Sequence, residues 1–176
     1  MAQELTIRII DGADLPAATR AEIVCLCTAA YGEDFEPYLI YPAPIHLLGY
    51  LGEALVSHAM WVTRWLQPGA AAPLRTAYVE AVATDPAHQG RGYASAIMRR
   101  LAAAVADFDL AALSPSDEAY YARLGWERWR GPLSIRAADG ILATPDEEAM
   151  ILRLPATPPL DLDGPLSAEW RAGELW

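Results

Sequence analysis

Residues 79–100 read VEAVATDPAHQGRGYASAIMRR, and this stretch decides the fold. An apolar run ends at Asp85, Gly90 and Gly92 follow, and apolar side chains then recur at helical spacing between Ala94 and Val105. This order predicts a strand, a glycine-containing turn and a helix. Backbone amides at the start of such a helix lack intrahelical acceptors, and the helix dipole adds to them. The turn therefore predicts an anion site suited to the diphosphate of a cofactor.

The spacing of the glycines argues against two common phosphate-binding loops. A dinucleotide fingerprint requires G-x-G-x-x-G directly after the strand, and a nucleotide-triphosphate loop requires Lys followed by Ser or Thr after its last glycine. Neither occurs between Gln89 and Ala94, which read QGRGYA. The alternative interpretation is an ordinary connection in which the glycines only shape the turn.

The composition indicates one acidic globular domain over residues 1–176. The formal net charge is −10, which argues against nucleic-acid binding because that depends on Lys and Arg neutralising phosphates. Although 53% of the residues are hydrophobic, no apolar run approaches the roughly 20 residues of a membrane helix. The first residues, MAQELTIR, lack the basic and apolar regions of a signal peptide. We therefore expect a cytoplasmic protein with no membrane partner.

The cysteines and histidines predict neither a disulfide nor a metal site. Cys25 and Cys27 fall on different faces of one predicted helix, so they cannot readily bridge, and we expect two buried thiols. His46, His58 and His88 are scattered without metal-ligand spacing, which favours core or surface histidines over ligands.

The apolar periodicity predicts an α+β fold, one sheet with helices packed on it. Asp14 is expected to cap a helix that reaches about Ala30, and Ser114 to cap another that ends at Gly125. The chain after Pro155 is rich in proline, so we expect it to cross the surface in extended form. The predicted strands are 5–10, 46–51, 54–66, 75–84, 110–113, 126–129 and 149–154.

Residues 31–44 form a long connector between the first helix and the hairpin that follows it, and they contain Glu33, Asp34 and Glu36. Loops of this length are uncommon unless they are functional or disordered, which favours a lid or a wall of a substrate site. The alternative interpretation is a solvated surface loop.

Two motifs resemble the GNAT N-acetyltransferases. They are Gln-x-x-Gly-x-Ala at 89–94, typical of the loop around the acetyl-CoA pyrophosphate, and YYARLGW at 120–126, in which a Tyr precedes a Gly-aromatic turn. Further segments, YVEAV at 78–82, GPLS at 131–134, TPDEE at 144–148 and WRAGELW at 170–176, resemble the aminoglycoside 2′-N-acetyltransferases nearly end to end. The resemblance implies the GNAT fold, a single mixed, mostly antiparallel twisted sheet flanked by helices, in a homodimer. It also implies that the tail, residues 155–176, contributes to the substrate site.

The resemblance implies acetyl-CoA, and its product CoA, as the cofactor. Val82 would offer its backbone N–H to the thioester oxygen, Val82 to Thr84 would pair with the pantetheine amides like an added strand, and the loop would wrap the pyrophosphate. The implied cofactor-binding residues are Val82, Ala83, Thr84, Gln89, Gly90, Arg91, Gly92, Tyr93 and Ala94.

For the chemistry, the resemblance implies Glu80 as the general base, acting through water, and Tyr121 as the acid that protonates the departing thiolate. Strand alternation alone leaves Glu80 open as an outward-facing residue. Tyr121 is alternatively a core aromatic, with Tyr120 in the role of the acid. No Ser or Cys nucleophile is placed beside a base, so direct attack in a ternary complex is expected.

A substrate that carries several ammonium groups requires several carboxylates, although each acid alone is more often a solvated surface charge. The chain departs from the family pattern at Leu39, where a second acid is usual, and at Glu147 and Glu174, where Asp is usual. The implied substrate-binding residues are Asp34, Glu80, Ala81, Ser114, Ser116, Asp146, Glu147, Gly173, Glu174 and Trp176 with its terminal carboxylate.

The leading hypothesis is therefore acetyl transfer to the 2′-amino group of aminoglycosides, which confers antibiotic resistance. One alternative is a GNAT enzyme for another amine, such as a polyamine, a small metabolite or a protein N-terminus. Another is a CoA-binding sensor without catalysis.

Overall fold

The computed structural model describes residues 4–176, so the first three residues of the segment considered for a signal peptide lie outside the described range. The chain divides into two compact units. The first unit runs up to Val62 and includes Val79–Ala103, and the second consists of Thr63–Tyr78 and Ala104–Trp176. Strands β3 (Ala54–Pro68) and β4 (Leu74–Thr84) run through both units.

Antiparallel strands and two helices form the first unit. Strand β1 (Thr6–Asp11) pairs with β2 (Ile45–Leu51), and β2 pairs with the first half of β3 around the predicted turn. Helix α1 (Ala17–Tyr31) precedes β2, and α2 (Tyr93–Ala104) follows β4. The fully or almost fully buried side chains of this core include Ile23, Leu26, Leu47, Val56, Ile97, Met98 and Leu101.

A close approach in the first unit favours glycine at one position of β2. A Cβ at Gly49 would lie 3.2 Å from Ile97 Cδ1 on α2 and 3.3 Å from Ser57 Cβ on β3. These distances are tighter than ordinary van der Waals contact, so α2 packs directly on the backbone of the hairpin. The helix that follows the 85–92 turn is thereby packed closely on the hairpin.

Two strand groups form the second unit. In one, β5 (Leu110–Leu113) pairs in parallel with the start of β4, β9 (Met150–Arg153) pairs antiparallel with β5, and β6 (Glu127–Arg128) pairs antiparallel with β9. In the other, β10 (Leu166–Glu169) pairs antiparallel with the end of β3 and parallel with β7 (Leu133–Ala137), which pairs with β8 (Gly140–Ala143). Helix α3 (Glu118–Ala122) lies between β5 and β6 in the chain.

The predicted α+β class with a mixed, mostly antiparallel sheet is confirmed. Among the pairings described above, two are parallel, β4 with β5 and β7 with β10, and the others are antiparallel. None of the helices within residues 4–176 combines the length and the hydropathy of a membrane-spanning segment.

Both predicted helix caps are wrong by a few residues. Helix α1 begins after Pro16, while Asp14 belongs to a short 3-10 turn whose own cap is Asp11. A residue that precedes proline avoids the helical region, so the helix cannot begin before Pro16. Helix α3 is capped by Asp117, which accepts a hydrogen bond of 3.0 Å from Tyr120 N, and Ser114 remains in the preceding loop.

The tail does not simply cross the surface. It contains β10, in which Leu166 and Ala168 are fully buried and Ser167 and Glu169 are half-buried. This alternation with a period of two is typical of a half-buried strand, and the prolines that suggested an extended surface segment lie outside it. Strands β7 and β8 were also absent from the sequence-based prediction.

Only one of the two thiols is buried. Cys27 faces the core and Cys25 is exposed, and both are free, as expected from their spacing. Residues two apart on a helix point in nearly opposite directions, so one face of α1 cannot bury both.

Candidate active site

The centre of the candidate site in the first unit is a bulge near the end of β4. Ala81 has φ +52°, a left-handed conformation that is unusual for a residue other than glycine. Its carbonyl oxygen lies 2.8 Å from Nδ1 of His58, which is fully buried. The flanking residues Glu80 and Val82 are half-buried. This left-handed residue, which we call the bulge of β4, therefore lies directly beside the predicted base.

Side chains hold the next three carbonyls of β4 as well. The donors come from the end of α1, from β3 and from the loop after β4, so the backbone of this half-strand is fixed from several directions. The bonds run from Tyr31 Oη to Val82 O (2.8 Å), from Ser57 Oγ to Ala83 O (3.1 Å) and from Gln89 Nε2 to Thr84 O (3.1 Å).

The turn before α2, where the sequence predicts an anion site, is open and contains two glycines in the left-handed conformation. Gly90 and Gly92 have φ of +73° and +82°, and a Cβ added to either would meet no described atom within 4 Å. The first i→i−4 bond of the helix runs from Ala96 N to Gly92 O at 3.0 Å, so the amides just before it lack an intrahelical acceptor. Backbone donors at an open turn are the donor set that a pyrophosphate requires.

Two side chains of this loop turn back onto the protein. Gln89 bonds to Thr84, as described, and Arg91 Nη2 donates to Ala87 O at 3.2 Å. The loop therefore presents mainly backbone groups, and the guanidinium group of Arg91 is directed to a carbonyl of the protein.

The acidic connector is folded rather than loose. Phe35 stacks on Tyr31 with ring centroids 4.9 Å apart, and Phe35 N donates to Thr28 Oγ1. Asp34 Oδ1 accepts a hydrogen bond of 3.1 Å from Glu36 N, and Glu36 forms an ion pair with Arg20. Asp34 is exposed, so one of its oxygens shapes the turn while the side chain remains open to solvent.

In the second unit, Tyr121 lies on α3 with 5% of its surface exposed. Its ring contacts Tyr120 and Trp126 edge-on, with centroids 5.0 and 6.1 Å away. Burial and the neighbouring Tyr120 raise the pKa of Tyr121 well above the ordinary value of tyrosine, while a hydrogen bond with Ser116 opposes this shift. Tyr121 therefore keeps its proton at neutral pH, as either a general acid or a core tyrosine would.

Two arginines hold the C-terminal segment. Arg64, only 1% exposed, donates from its two terminal nitrogens to Leu175 O and Glu169 O, each at 2.8 Å. Arg171 Nε donates to Glu174 O at 2.5 Å. Both guanidinium groups also lie about 5 Å from the ring centroid of the buried Tyr78, at 4.8 and 5.1 Å. We call Arg64 and Arg171 the tail clamp.

The structure brings Trp176 to the turn that carries two of the predicted acids. The indole is buried and donates from Nε1 to Thr144 Oγ1 at 2.9 Å. Glu147 N donates to Thr144 O at 3.2 Å, and the side chains of Asp146 and Glu147 are exposed. Glu147 also lines a cavity of about 350 Å³. Within the second unit, three predicted substrate-binding residues thus share one neighbourhood.

The remaining predicted substrate residues lie in exposed turns. Gly173, with φ +83°, and Glu174 follow Arg171 in the tail, and Ser114 and Ser116 lie between β5 and α3. The side chains of Ser114, Ser116 and Glu174 are exposed, and Ser116 forms a hydrogen bond with Tyr121.

Sequence reasoning missed the groups that hold β4 and the tail. The hairpin offered one signal: β2 and β3 pair His46 with Met60 and Leu48 with His58, so the histidines are diagonal neighbours. Two histidines in apolar strands around a predicted turn therefore indicate a buried pair. Arg64 gave no comparable signal, because its partners lie more than 100 positions away in the sequence.

Comparisons with known proteins place these features in context. The family model described as an acetyltransferase (GNAT) domain matches residues 28–129. An aminoglycoside 2′-N-acetyltransferase of Mycolicibacterium fortuitum is 32% identical over 97% of this chain and 92% of its own length.

Solved structures share the fold at low sequence identity. A GNAT family N-acetyltransferase (YhbS) of Escherichia coli, solved in complex with CoA, has a TM-score of 0.66 at 15% identity and covers 97% of this chain and 92% of its own. Eis1 of Mycobacterium abscessus has a TM-score of 0.63 at 20% identity over 74% of this chain. The match spans only 33% of Eis1, about a third of that protein.

Proposed function

Because this chain belongs to the GNAT acetyltransferases and, among them, to the aminoglycoside 2′-N-acetyltransferase family, we propose that it transfers the acetyl group of acetyl-CoA to the 2′-amino group of an aminoglycoside. The observation that carries the proposal is the 32% identity to the M. fortuitum protein over 97% of the chain. We also propose that this activity confers antibiotic resistance, that the protein is located in the cytoplasm and that it forms a homodimer.

The cofactor supplies an activated acetyl group as a thioester. The backbone amides of the turn around Gly90 and Gly92 would hold its pyrophosphate, and residues 82–84 would hold its pantetheine arm through their own amides. Val82 N–H would face the thioester oxygen, where negative charge develops during the reaction. A donor fixed before the reaction stabilises that charge without the cost of reorganisation.

Glu80 is proposed as the general base. An amine is protonated at neutral pH and must lose a proton before it can attack, and a carboxylate that acts through water can accept that proton. The half-buried position of Glu80 beside the bulge is consistent with this role. Direct attack requires no covalent acetyl-enzyme, so no nucleophilic side chain is assigned.

Tyr121 is proposed as the acid that protonates the departing thiolate. Its buried ring and raised pKa keep the hydroxyl proton in place at neutral pH. Asp34, Glu80, Asp146, Glu147 and Glu174 are proposed to bind the ammonium groups of the substrate, and Trp176 is proposed as a further substrate-binding residue. Hydrogen bonds are proposed from Ser114, Ser116 and the backbone at Ala81 and Gly173.

The test uses two aminoglycosides that differ at one position. Kanamycin B has an amine at the 2′ carbon and kanamycin A has a hydroxyl there. With acetyl-CoA and the enzyme, mass spectrometry should detect one added acetyl group on kanamycin B, located at the 2′ nitrogen, and none on kanamycin A. Equal acetylation of both compounds, or none of kanamycin B, would contradict the proposed position.

Glu80→Gln supplies the control for catalysis. It should lower kcat about 100-fold or more while acetyl-CoA binding, measured by calorimetry, stays within about threefold of the unaltered protein. If the enzyme binds acetyl-CoA but acetylates neither kanamycin B nor gentamicin, spermidine should be tested next. Acetylation of spermidine would support the alternative that the substrate is another amine.

A further inference from the structure

A chain of hydrogen bonds inside the first unit ends at the bulge of β4. His46 Nδ1 lies 3.0 Å from His58 Nε2, and His58 Nδ1 lies 2.8 Å from Ala81 O. His46 and His58 are 3% and 0% exposed. The proposed chemistry assigns neither histidine a role.

The acceptor at the end of this chain fixes the proton on each ring. A carbonyl oxygen only accepts, so His58 Nδ1 carries a proton, and in the neutral ring Nε2 is then an acceptor. His46 must therefore donate to it from Nδ1. Every bond points the same way, from His46 to His58 to Ala81.

The surroundings keep both rings neutral. The pKa of His46 is lowered to about 4, mainly by burial and also by Arg20, while Asp11 acts in the opposite direction. The pKa of His58 is lowered to about 3 by burial and by the neighbouring His46. The thiol of Cys27, 3.9 Å from His58 Nδ1, is neutral because burial raises its pKa to about 12. The directional chain is therefore intact at neutral pH.

The carbonyl of Ala81 belongs to the same peptide unit as the N–H of Val82. A trans peptide unit is planar, and its C=O and N–H point in opposite directions. A side chain that holds the carbonyl consequently holds the direction of the N–H. This bond also supports the left-handed conformation of Ala81, which persists only where its surroundings determine it.

Donation to a carbonyl polarises the whole peptide unit. Electron density moves toward the oxygen, so the N–H on the other side becomes a stronger donor, and successive bonds in a chain strengthen one another. His46 contributes by making His58 a stronger donor. Its own ring lines a cavity of about 220 Å³ with Arg20, Tyr41 and Met60.

We propose that His46 and His58 are positioning residues that aim and polarise the N–H of Val82 toward the thioester oxygen of acetyl-CoA. This inference rests on the proposed function only for the cofactor and not for the identity of the amine. Neither histidine touches substrate or cofactor in this proposal, and both act through the peptide unit of Ala81 and Val82.

Matched variants separate positioning from packing. His58→Leu removes the donor to Ala81, whereas His58→Asn retains an N–H close to the position of Nδ1. His46→Leu and His46→Asn form the corresponding pair for the donor to His58. Met60→Ala is the control for a loss of packing, because Met60 is buried on the same strand.

The main readout is the infrared band of the thioester carbonyl in bound acetyl-CoA labelled with ¹³C at that carbon. A hydrogen bond lowers this frequency, so the band should move back toward its solution value in His58→Leu and part of the way in His46→Leu. The asparagine variants and Met60→Ala should retain most of the shift. In parallel, kcat should fall by up to about 100-fold in His58→Leu, because complete loss of the Val82 N–H as an oxyanion donor would cost about that much and the variant only misdirects it.

An unchanged band in folded His58→Leu would overturn the proposal. If that variant does not fold, His46→Leu provides the test, because it leaves the bond from His58 to Ala81 in place and only weakens it. An unchanged band in His46→Leu would then overturn the proposal.

The protonation of the two rings provides a second test. Long-range ¹H–¹⁵N spectra of the unliganded protein at pH 7 should show both rings with the proton on Nδ1. A proton on His58 Nε2 would contradict the inference.

The measurement distinguishes this inference from the proposed function. The band requires only bound acetyl-CoA, so it can be recorded whichever amine the enzyme accepts, and a failure to acetylate kanamycin B leaves the outcome intact. Failure of the unaltered protein to bind acetyl-CoA in calorimetry would overturn both.

Discussion

A tyrosine that donates a proton must retain it until the leaving group needs it, and its position in the fold ensures this for Tyr121. The ring is enclosed by Tyr120 and Trp126, and burial is the largest cause of its raised pKa. The same features also describe a core tyrosine. The two roles therefore predict different kinetics for variants of this residue.

Tyr121→Phe should lower kcat about 100-fold, the usual contribution of a general acid, with little change in acetyl-CoA affinity. Tyr120→Phe is the matched variant, since it removes the neighbouring hydroxyl from the same helix. Steady-state kinetics with kanamycin B measure both. A larger loss in Tyr120→Phe would transfer the role to Tyr120.

The buried histidine pair predicts a loss of stability in acid. The pKa of each ring in the folded protein is below the ordinary value of 6.5, at about 4 for His46 and about 3 for His58. Between the folded pKa and 6.5, the unfolded chain therefore binds protons that the folded chain does not. The free energy of unfolding should therefore fall as the pH decreases from 6.5, by about 2 kcal/mol per ring at pH 5. Urea unfolding at pH 7 and pH 5 measures it, and His46→Asn should lose correspondingly less. Equal losses would contradict this assignment.

At the scale of elements, the tail is a strand followed by a tethered segment. Strand β10 is buried in the second unit, and the tail clamp then fixes the carbonyls of residues 169, 174 and 175. Trp176 is tied to the turn at Thr144. The residues proposed to bind the ammonium groups in this region thus depend on a few hydrogen bonds from Arg64 and Arg171.

Arg64→Met should raise the KM for kanamycin B about tenfold, because the proposed ligands in the tail lose their anchor, a loss of about 1.4 kcal/mol. The Kd for acetyl-CoA should change less than about twofold. Arg136→Met is the matched control, since Arg136 donates to Ser167 O in β10 and to no carbonyl of the final three residues that the structure describes. Equal KM effects in both variants would show that β10, and not the clamp, is responsible.

Removal of Trp176 tests the terminal residue itself. The shortened chain loses the indole bond to Thr144 together with the rest of residue 176, which is proposed to bind the substrate. We expect a higher KM for the amine and nearly unchanged cofactor affinity, by kinetics and calorimetry respectively. Replacement of Thr144 by Val removes only the bond, so a smaller effect there would separate anchoring from direct binding.

At the scale of the whole molecule, the net charge of −10 favours approach of a polycation. Raising the salt concentration from about 0.05 to 0.5 M shortens the screening length severalfold, so the KM for kanamycin B should increase while kcat changes little. Acetyl-CoA is an anion, and its KM serves as the internal control. A parallel increase in both KM values would contradict an electrostatic origin.

The sequence was sufficient for features that depend on local pattern. The 79–100 stretch predicted β4, the open turn and α2, because apolar periodicity and glycine conformation are local. The caps at Asp11 and Asp117 and the strand β10 were misjudged where proline obscured the pattern. The bond from His58 to Ala81 depends on strand register, and the bond from Arg64 to Leu175 joins residues 111 positions apart in the sequence. No local sequence pattern encodes either contact.

The side-chain bonds along β4 also have a consequence for solubility. Strand β5 ends at Leu113, whereas β4 continues to Thr84, and a strand that outruns its neighbour is ordinarily a template for domain swapping or aggregation. Here Tyr31 and Gln89 already occupy the carbonyls of Val82 and Thr84. An incoming strand would have to compete with these side chains for the two carbonyls, which disfavours pairing with a foreign chain, while the amides of the half-strand can still donate to a small molecule rich in carbonyl groups.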